Sequence, residues 1–137
     1  MHFETGTFTD HLGGNVYRTV KIGNQVWMAE NLDVTKFRNG DAIPIIKNTE
    51  KWGNVNSGAC CYYDNSIKNG KMYGRLYNWY AVSDPRGLAP EGWHVPSDEE
   101  WKELEIYLGM RQAETNYKAW RGKDEGGKLK EPGTAHW

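Results

Sequence analysis

The chain has 137 residues, enough for one domain, and a domain of this size buries roughly two-thirds of the surface its unfolded chain exposes. Its 17 basic and 18 acidic side chains nearly cancel, and no continuous stretch concentrates one sign strongly enough to track a phosphate backbone or an anionic lipid leaflet. This argues against nucleic-acid and membrane-surface partners; no apolar run approaches the ~20 residues of a membrane span, so no membrane insertion is expected.

The first residues, MHFETGTFTDHLGG, carry neither a charged n-region nor an apolar h-region, so no signal peptide is expected in this chain. Asn15 to Leu32 split at Gly23-Asn24 into two runs rich in Val, Ile, Tyr, Thr and Trp, which predicts a β-hairpin around a two-residue turn. Period-2 alternation puts Val16, Val20 and Ile22 on one face, interrupted by Arg18, and Tyr17, Thr19 and Lys21 on the other, with one face expected to be buried and the other partly wet. From Asp33 to Asn69 the pattern breaks into short pieces at Asn39-Gly40, Gly53-Asn54, Ser57-Gly58 and Asn69-Gly70, which predicts loops with short strands, one over Ala59 to Asp64.

Two helices are predicted next. In Arg75 to Val82, Leu76, Trp79 and Tyr80 fall at i, i+3 and i+4 as one apolar face, and Asp84-Pro85 stops the run. Pro96 then fixes the approach to Ser97, which caps a second helix and has Glu100 three residues on, the capping-box pattern. That helix runs to about Leu108 with an apolar period of Trp101, Leu104 and Leu108, and Gly109 supplies the left-handed terminator. Trp79, Trp93, Pro96, Ser97, Glu100 and Trp101 are thus expected to serve structure. Beyond Met110 the chain turns polar and glycine-rich, with no stable core element expected. The aromatic surplus of 7 Trp, 8 Tyr and 3 Phe, set among 16 Gly, predicts an aromatic-built core in a loop-rich β or α+β domain.

Candidate chemistry is sparse. Asp98, Glu99 and Glu100 point about 100° apart on a helix and suit capping and the helix dipole better than a metal. His94 lies between Trp93 and Val95 as a structural histidine, and His2, His11 and His136 sit near the ends; no spacing matches a zinc site. Cys60 and Cys61 are adjacent, a poor geometry for a mutual disulfide, so both are expected to be free, packed thiols. The Asp64, Asn65, Ser66 loop carries the oxygen donors calcium uses, but it lacks the twelve-residue EF-hand pattern and needs no metal to explain it. No cofactor is expected. Nor is there a phosphate-binding, dinucleotide, esterase or zincin motif. Trp52, Tyr62, Tyr63 and Asp64 form the candidate ligand-binding group, a platform of rings beside Asn and Asp; the alternative is that these rings fill a small core.

Four blocks in order, GNVYRTVKIGNQVWMAENL, YGRLYNWYAV, LAPEGWHVPSDEEWKELEIYLG and GGKLKEPGTAHW, closely resemble the Fibrobacter succinogenes major paralogous domain, FISUMP. The resemblance divides the chain into an N-terminal extension, residues 1–11, and a FISUMP-like domain, residues 12–137. Around Trp93, Pro96, Ser97 and Trp101 it extends to C-type-lectin-like and formylglycine-generating-enzyme-like domains. It implies a loop-rich α+β fold in which two short helices pack on a small twisted antiparallel sheet. It also implies an extracellular or cell-surface bacterial protein, or a phage-associated one, that binds a protein or glycan ligand. The catalytic cysteines of the formylglycine-generating enzymes have no counterpart here, so no enzyme is expected. Where family members place a cysteine able to pair with the one at Cys61, this chain has Ala89. The family domain continues past the T-x-H-W block with a Gly- and Trp-rich half, so the stop at Trp137 reads as loss of that half. The alternative expectation is therefore a self-assembling subunit, a homo-oligomer whose open sheet edges are completed by another chain.

Overall fold

A computed structural model describes residues 3–131 of the chain. His2, His136 and the end of the fourth family-like block lie outside those residues, as does the expectation drawn from Trp137. The described chain is α+β, with small sheets and five short α-helices among long loops. It divides into two compact units, one of residues 5–20 and 26–95, the other comprising, among the described residues, 3–4, 21–25 and 96–131.

A three-stranded sheet runs in the order β1 (Glu4–Thr9), β2 (Val16–Ile22), β3 (Gln25–Met28). The hairpin forms where the sequence puts it, with Gly23 at φ 62° in a turn that the Tyr107 ring crowds too closely for any Cβ. β1 falls in the segment read as an extension; its Thr-Gly-Thr alternation is too polar to signal a strand. The expected division of β2 into one buried and one wet face does not hold: Ile22 is buried on one face, Val16 on that same face is exposed, and Tyr17 is buried on the other. The reason is polar: the Tyr17 hydroxyl accepts from the Asp33 backbone N–H (3.1 Å) and from Asn15 Nδ2 (3.3 Å), which draws its ring inward.

In the larger unit, α1 (Thr49–Asn54) and α2 (Ile67–Tyr73) occupy the region expected to be loops. Each begins at a side-chain cap, Asn48 accepting from Lys51 N (2.8 Å) and Ser66 from Asn69 N (3.4 Å). Gly53-Asn54 and Asn69-Gly70, read as turns, are helical, whereas Asn39-Gly40 is the expected turn, with Gly40 at φ 94°. The strand predicted over Ala59 to Asp64 shrinks to β4 (Cys60–Cys61). It pairs antiparallel with β5 (Leu76–Tyr77), Cys60 opposite Tyr77 and Cys61 opposite Leu76.

β5 is half of the first predicted helix. Helix formation waits until α3 (Trp79–Val82), because Asn78 is the N-cap: its Oδ1 accepts from Ala81 N and Ala59 N (3.0 Å each), and its Nδ2 donates to Ser57 O (2.8 Å). The i, i+3, i+4 face of Leu76, Trp79 and Tyr80 is consequently absent; all three side chains are exposed, and Ala81 is the buried residue of α3. Trp79, expected in the core, is 72% exposed. The core of this unit is Val34, Phe37, Ile43, Cys60, Ala81 and Leu88, flanked by Leu32, Tyr77 and Val82. It is mainly aliphatic, and the predicted aromatic core is overturned.

In the smaller unit, α4 (Asp98–Tyr107) carries the full capping box, Glu100 N to Ser97 Oγ (3.2 Å) and Ser97 N to Glu100 Oε2 (2.8 Å), and Gly109 follows at φ 117°. Start, stop and cap of this helix match the sequence reading. Its buried stripe is narrower than expected: Leu104 and Leu108 are buried, and Trp101 is 46% exposed. Gln25 Nε2 donates to the Glu100 carbonyl (3.0 Å), joining the hairpin tip to the helix. Past Met110 lie a 3₁₀ turn (Glu114–Asn116) and α5 (Glu125–Lys128), where no element was expected. They are held by polar contacts that leave no periodicity. Arg121 donates to the Thr115 and Tyr117 carbonyls (2.8 and 3.1 Å) and pairs with Glu105 (2.8 Å), while buried Glu125 accepts from Lys123 N (2.6 Å).

Candidate functional site

The candidate group Trp52, Tyr62, Tyr63, Asp64 lies entirely in the larger unit, around a single-turn 3₁₀ segment (Tyr63–Asn65) set between β4 and α2. Asp64 and Asn65 both adopt left-handed backbone, φ 54° and 51°, and among the described residues they are the two non-glycine residues with positive φ. Asn and Asp tolerate this conformation best, yet two in succession cost free energy that surrounding bonds must offset. Those bonds are present. Asn65 Nδ2 donates to the Lys47 carbonyl (2.8 Å), Asn69 Nδ2 donates to the Tyr63 carbonyl (3.2 Å), and Asn65 N and Ser66 N close onto Tyr62 O and Tyr63 O. The turn is thereby pinned to the entry of α1 on one side and to the first turn of α2 on the other.

What this rigid turn displays is Tyr63, 63% exposed, and the carboxylate of Asp64, which has no hydrogen-bond or ion-pair partner among the described residues. Trp52 sits one helical turn past Asn48 on α1, half-buried. Tyr62 has a different task. Gly70 and the Arg75 guanidinium (4.4 Å from the centroid) both lie over its ring, and its hydroxyl accepts from Arg75 Nη2 (2.8 Å). A Cβ at position 70 would stand 2.5 Å from ring atoms Cδ1 and Cζ, so glycine is required there for packing alone. The structure therefore leaves Tyr63 and Asp64 exposed and commits the face of Tyr62 to the fold.

Arg75 is the hub behind the turn. Its side chain is nearly buried, ion-paired with Asp33 (2.9 Å) and 3.9 Å from Cys60 Sγ. Burial raises the Asp33 carboxyl above its ordinary value, with Arg75 pulling the other way. Burial likewise raises both thiols, Cys60 and Cys61, each free and buried. A thiol raised in this way is protonated at neutral pH, the opposite of what a thiolate nucleophile needs. Cys61 and Ala89, the positions the family resemblance links, are both buried and unbridged.

Among the described residues no group of three or more His, Cys, Asp or Glu is placed to hold a metal ion. Around Asp64, the Lys47 and Tyr63 carbonyls, which calcium would want, already accept from asparagine amides. No described helix is long and apolar enough to cross a membrane. A shallow groove of about 380 Å³ runs along α4 in the smaller unit, lined by Glu99, Lys102, Glu103 and Gln112 among others, but Lys102 is already paired with Asp98 and Glu99.

Sequence reasoning missed Arg75, Gly70 and Asn78. The signal for Asn78 was available, an Asn three residues before Ala81 at the start of an apolar run, but apolar periodicity outweighed it. Nothing local could have announced Gly70, because its role depends on a ring eight positions earlier.

Fold and site together define a small α+β domain that exposes a braced aromatic-carboxylate turn. The chain belongs to the Fibrobacter succinogenes major domain family (Fib_succ_major), whose model matches residues 20–137. No curated protein and no solved structure gives a significant match.

Proposed function

We propose that this chain is a non-enzymatic binding module of a bacterial surface, secreted or phage-associated protein, on a C-type-lectin-like variant of the α+β fold, and that it takes a glycan at the Tyr63–Asn65 turn. The observation that carries this reading is the turn itself. Left-handed backbone at Asp64 and Asn65 is maintained by four hydrogen bonds, and the product is an outward aromatic ring beside an unengaged carboxylate. Strain held in place by the surroundings is characteristic of binding sites, and a ring with an adjacent acceptor suits the CH face and hydroxyls of a sugar. The raised thiols and the absence of a metal-holding cluster among the described residues give catalysis no comparable support.

The test is a glycan array followed by calorimetry on the best binder. Tyr63→Ala is expected to weaken binding about tenfold, the upper range for one aromatic contact. Trp79→Ala, an equally exposed ring on α3, should leave affinity unchanged. Binding that ignores Tyr63, or an array on which nothing binds, overturns the reading.

A second reading has one observation in its favour. Among the described residues β1 has a strand neighbour on one side only, and its residues are mostly exposed. A free edge of six residues is a template for pairing with another copy. Sedimentation velocity separates the readings: concentration-dependent assembly abolished by Thr7→Pro supports the subunit role, and a monomer at all concentrations removes it.

A further inference from the structure

We infer that the ligand of the Tyr63 turn is an acidic polysaccharide, one bearing carboxylate or sulfate groups along its chain. This rests on the glycan reading above and names its class.

The observation is a charge pattern that only the fold assembles. Lys47, Lys51, Lys68 and Lys71 are spread thinly along the sequence, but Lys47 is tied to the turn through its carbonyl, Lys51 follows it in α1, and Lys68 and Lys71 lie on the helix that leaves the turn. Lys47 accepts the Asn65 amide through its own carbonyl. Lys51 follows in the first turn of α1, its N–H bound by Asn48. Lys68 and Lys71 project from α2, which begins at Ser66 directly after the turn, and their i, i+3 spacing puts them on one side of it. Gly70, between them, faces inward against Tyr62 and fixes which side of α2 is outward. All four lysines are exposed.

None of the four has an ion-pair or side-chain partner among the described residues, whereas Lys102, Lys128, Arg75, Arg86, Arg111 and Arg121 are each paired with a carboxylate. Over residues 47–71 these four lysines face two acids, Glu50 and Asp64, a local excess of two positive charges on a chain whose formal net charge is -1. Free ammonium groups around a stacking ring attract an anionic chain over the reach of the screening length and then release it as salt rises. A neutral sugar would gain nothing from them.

Asp64 sharpens the assignment. A carboxylate beside the ring accepts from sugar hydroxyls but repels a neighbouring acid group, so it favours a polymer whose charges are spaced to reach the lysines while uncharged hydroxyls meet Asp64. Asn tolerates the same left-handed backbone, which makes Asp64→Asn a clean probe.

The experiment measures binding of the whole chain to polygalacturonate, dextran sulfate, unsubstituted dextran, neutral galactan and duplex DNA at low and high salt. Expected are binding to one or both acidic polysaccharides, a roughly tenfold loss when sodium chloride rises from about 50 to 300 mM, and weaker or no binding to the neutral polymers. Each exposed lysine changed to Gln should cost about twofold to fivefold, with Lys68→Gln/Lys71→Gln together near tenfold, and Asp64→Asn should tighten binding about twofold. Tyr63→Ala should weaken it at either salt. Which acidic polymer binds distinguishes carboxylate from sulfate recognition. Neutral polysaccharide bound as tightly, with no salt dependence, overturns this inference and leaves the glycan module standing; DNA bound equally well also overturns it. Failure of every polysaccharide overturns the module itself. Thermal melts of each variant accompany the titrations, and these exposed substitutions are expected to leave the midpoint unchanged.

Discussion

Replacing Gly70 with Ala inverts a common rule. Glycine inside a helix costs about 0.5–1 kcal/mol relative to Ala, so Gly→Ala ordinarily stabilises. Gly70 lies within α2, and its φ is not positive, so backbone conformation does not forbid a side chain. What forbids it is the Tyr62 ring, 2.5 Å from where the Cβ would stand at two ring atoms, a contact that one or the other must relieve by moving about an ångström. Tyr62 cannot withdraw freely, since Arg75 lies over its ring and bonds its hydroxyl, and Arg75 is itself tied to Asp33. Overpacking of this kind costs about 1–3 kcal/mol. Set against a propensity gain of at most about 1 kcal/mol, the net expectation is a loss of about 1–2 kcal/mol, or a melting midpoint lowered by roughly 3–8 °C for a chain of this length. Gly53, in α1, has nothing within 4 Å of its hypothetical Cβ and serves as the internal control, so Gly53→Ala should stabilise by about 0.5 kcal/mol. Paired urea denaturation curves decide the matter. If Gly70→Ala is neutral or stabilising, the ring does not pack on the helix backbone and the account of how the turn is braced is wrong.

Three further outcomes are expected. Asn78→Ala removes the cap of α3 and two bonds that join Ala59 and Ser57 to it; a loss of about 1–3 kcal/mol in urea denaturation is expected, and a loss near zero would mean the cap is dispensable. Arg86 holds the Asp84 carboxyl down at about 2, from an ordinary 3.8, and a depressed carboxylate lends stability that is complete above pH 3.8 and lost as pH falls through about 2. Asp84→Asn should therefore flatten the acid limb of the stability curve over that window, and carbon NMR titration should find its midpoint near 2. Half-buried Asp33, raised instead, acts with opposite sign, favouring the fold below 3.8 and withdrawing that contribution as pH climbs. Both cysteines should resist a disulfide reagent in the native state and react together on unfolding; rapid reaction without denaturant would contradict their burial.

How much could be read from the sequence depended on whether a feature was local. The capping box at Ser97 and Glu100, the Gly109 stop and the Gly23-Asn24 hairpin are all decided within a few residues, and each appears in the structure as written in the chain. Arg75 to Val82 misled because its apolar spacing fits a helix, while the deciding groups, Ala59 and Ser57, lie some twenty positions away and claim Asn78 first. β2 has no single buried face because Tyr17, whose hydroxyl has two partners, is buried opposite Ile22. Of the candidate site, Tyr63 and Asp64 were visible as an aromatic and an acid in turn chemistry; the bracing of the turn by Asn65 depends on the Lys47 carbonyl, far enough back in the chain to leave no local trace.

The division of labour within α2 also bears on how this surface can evolve. Its inward side is inflexible, with Ser66 capping and Gly70 admitting a ring, while Lys68 and Lys71 on the outward side are exposed and have no side-chain partner among the described residues. Substitutions there are close to free, so a duplicated copy of the domain could change the sign of this helix's charge in two mutational steps without passing through an unstable intermediate. A set of copies with the same backbone and different outward residues on this helix would present different charge patterns on one frame.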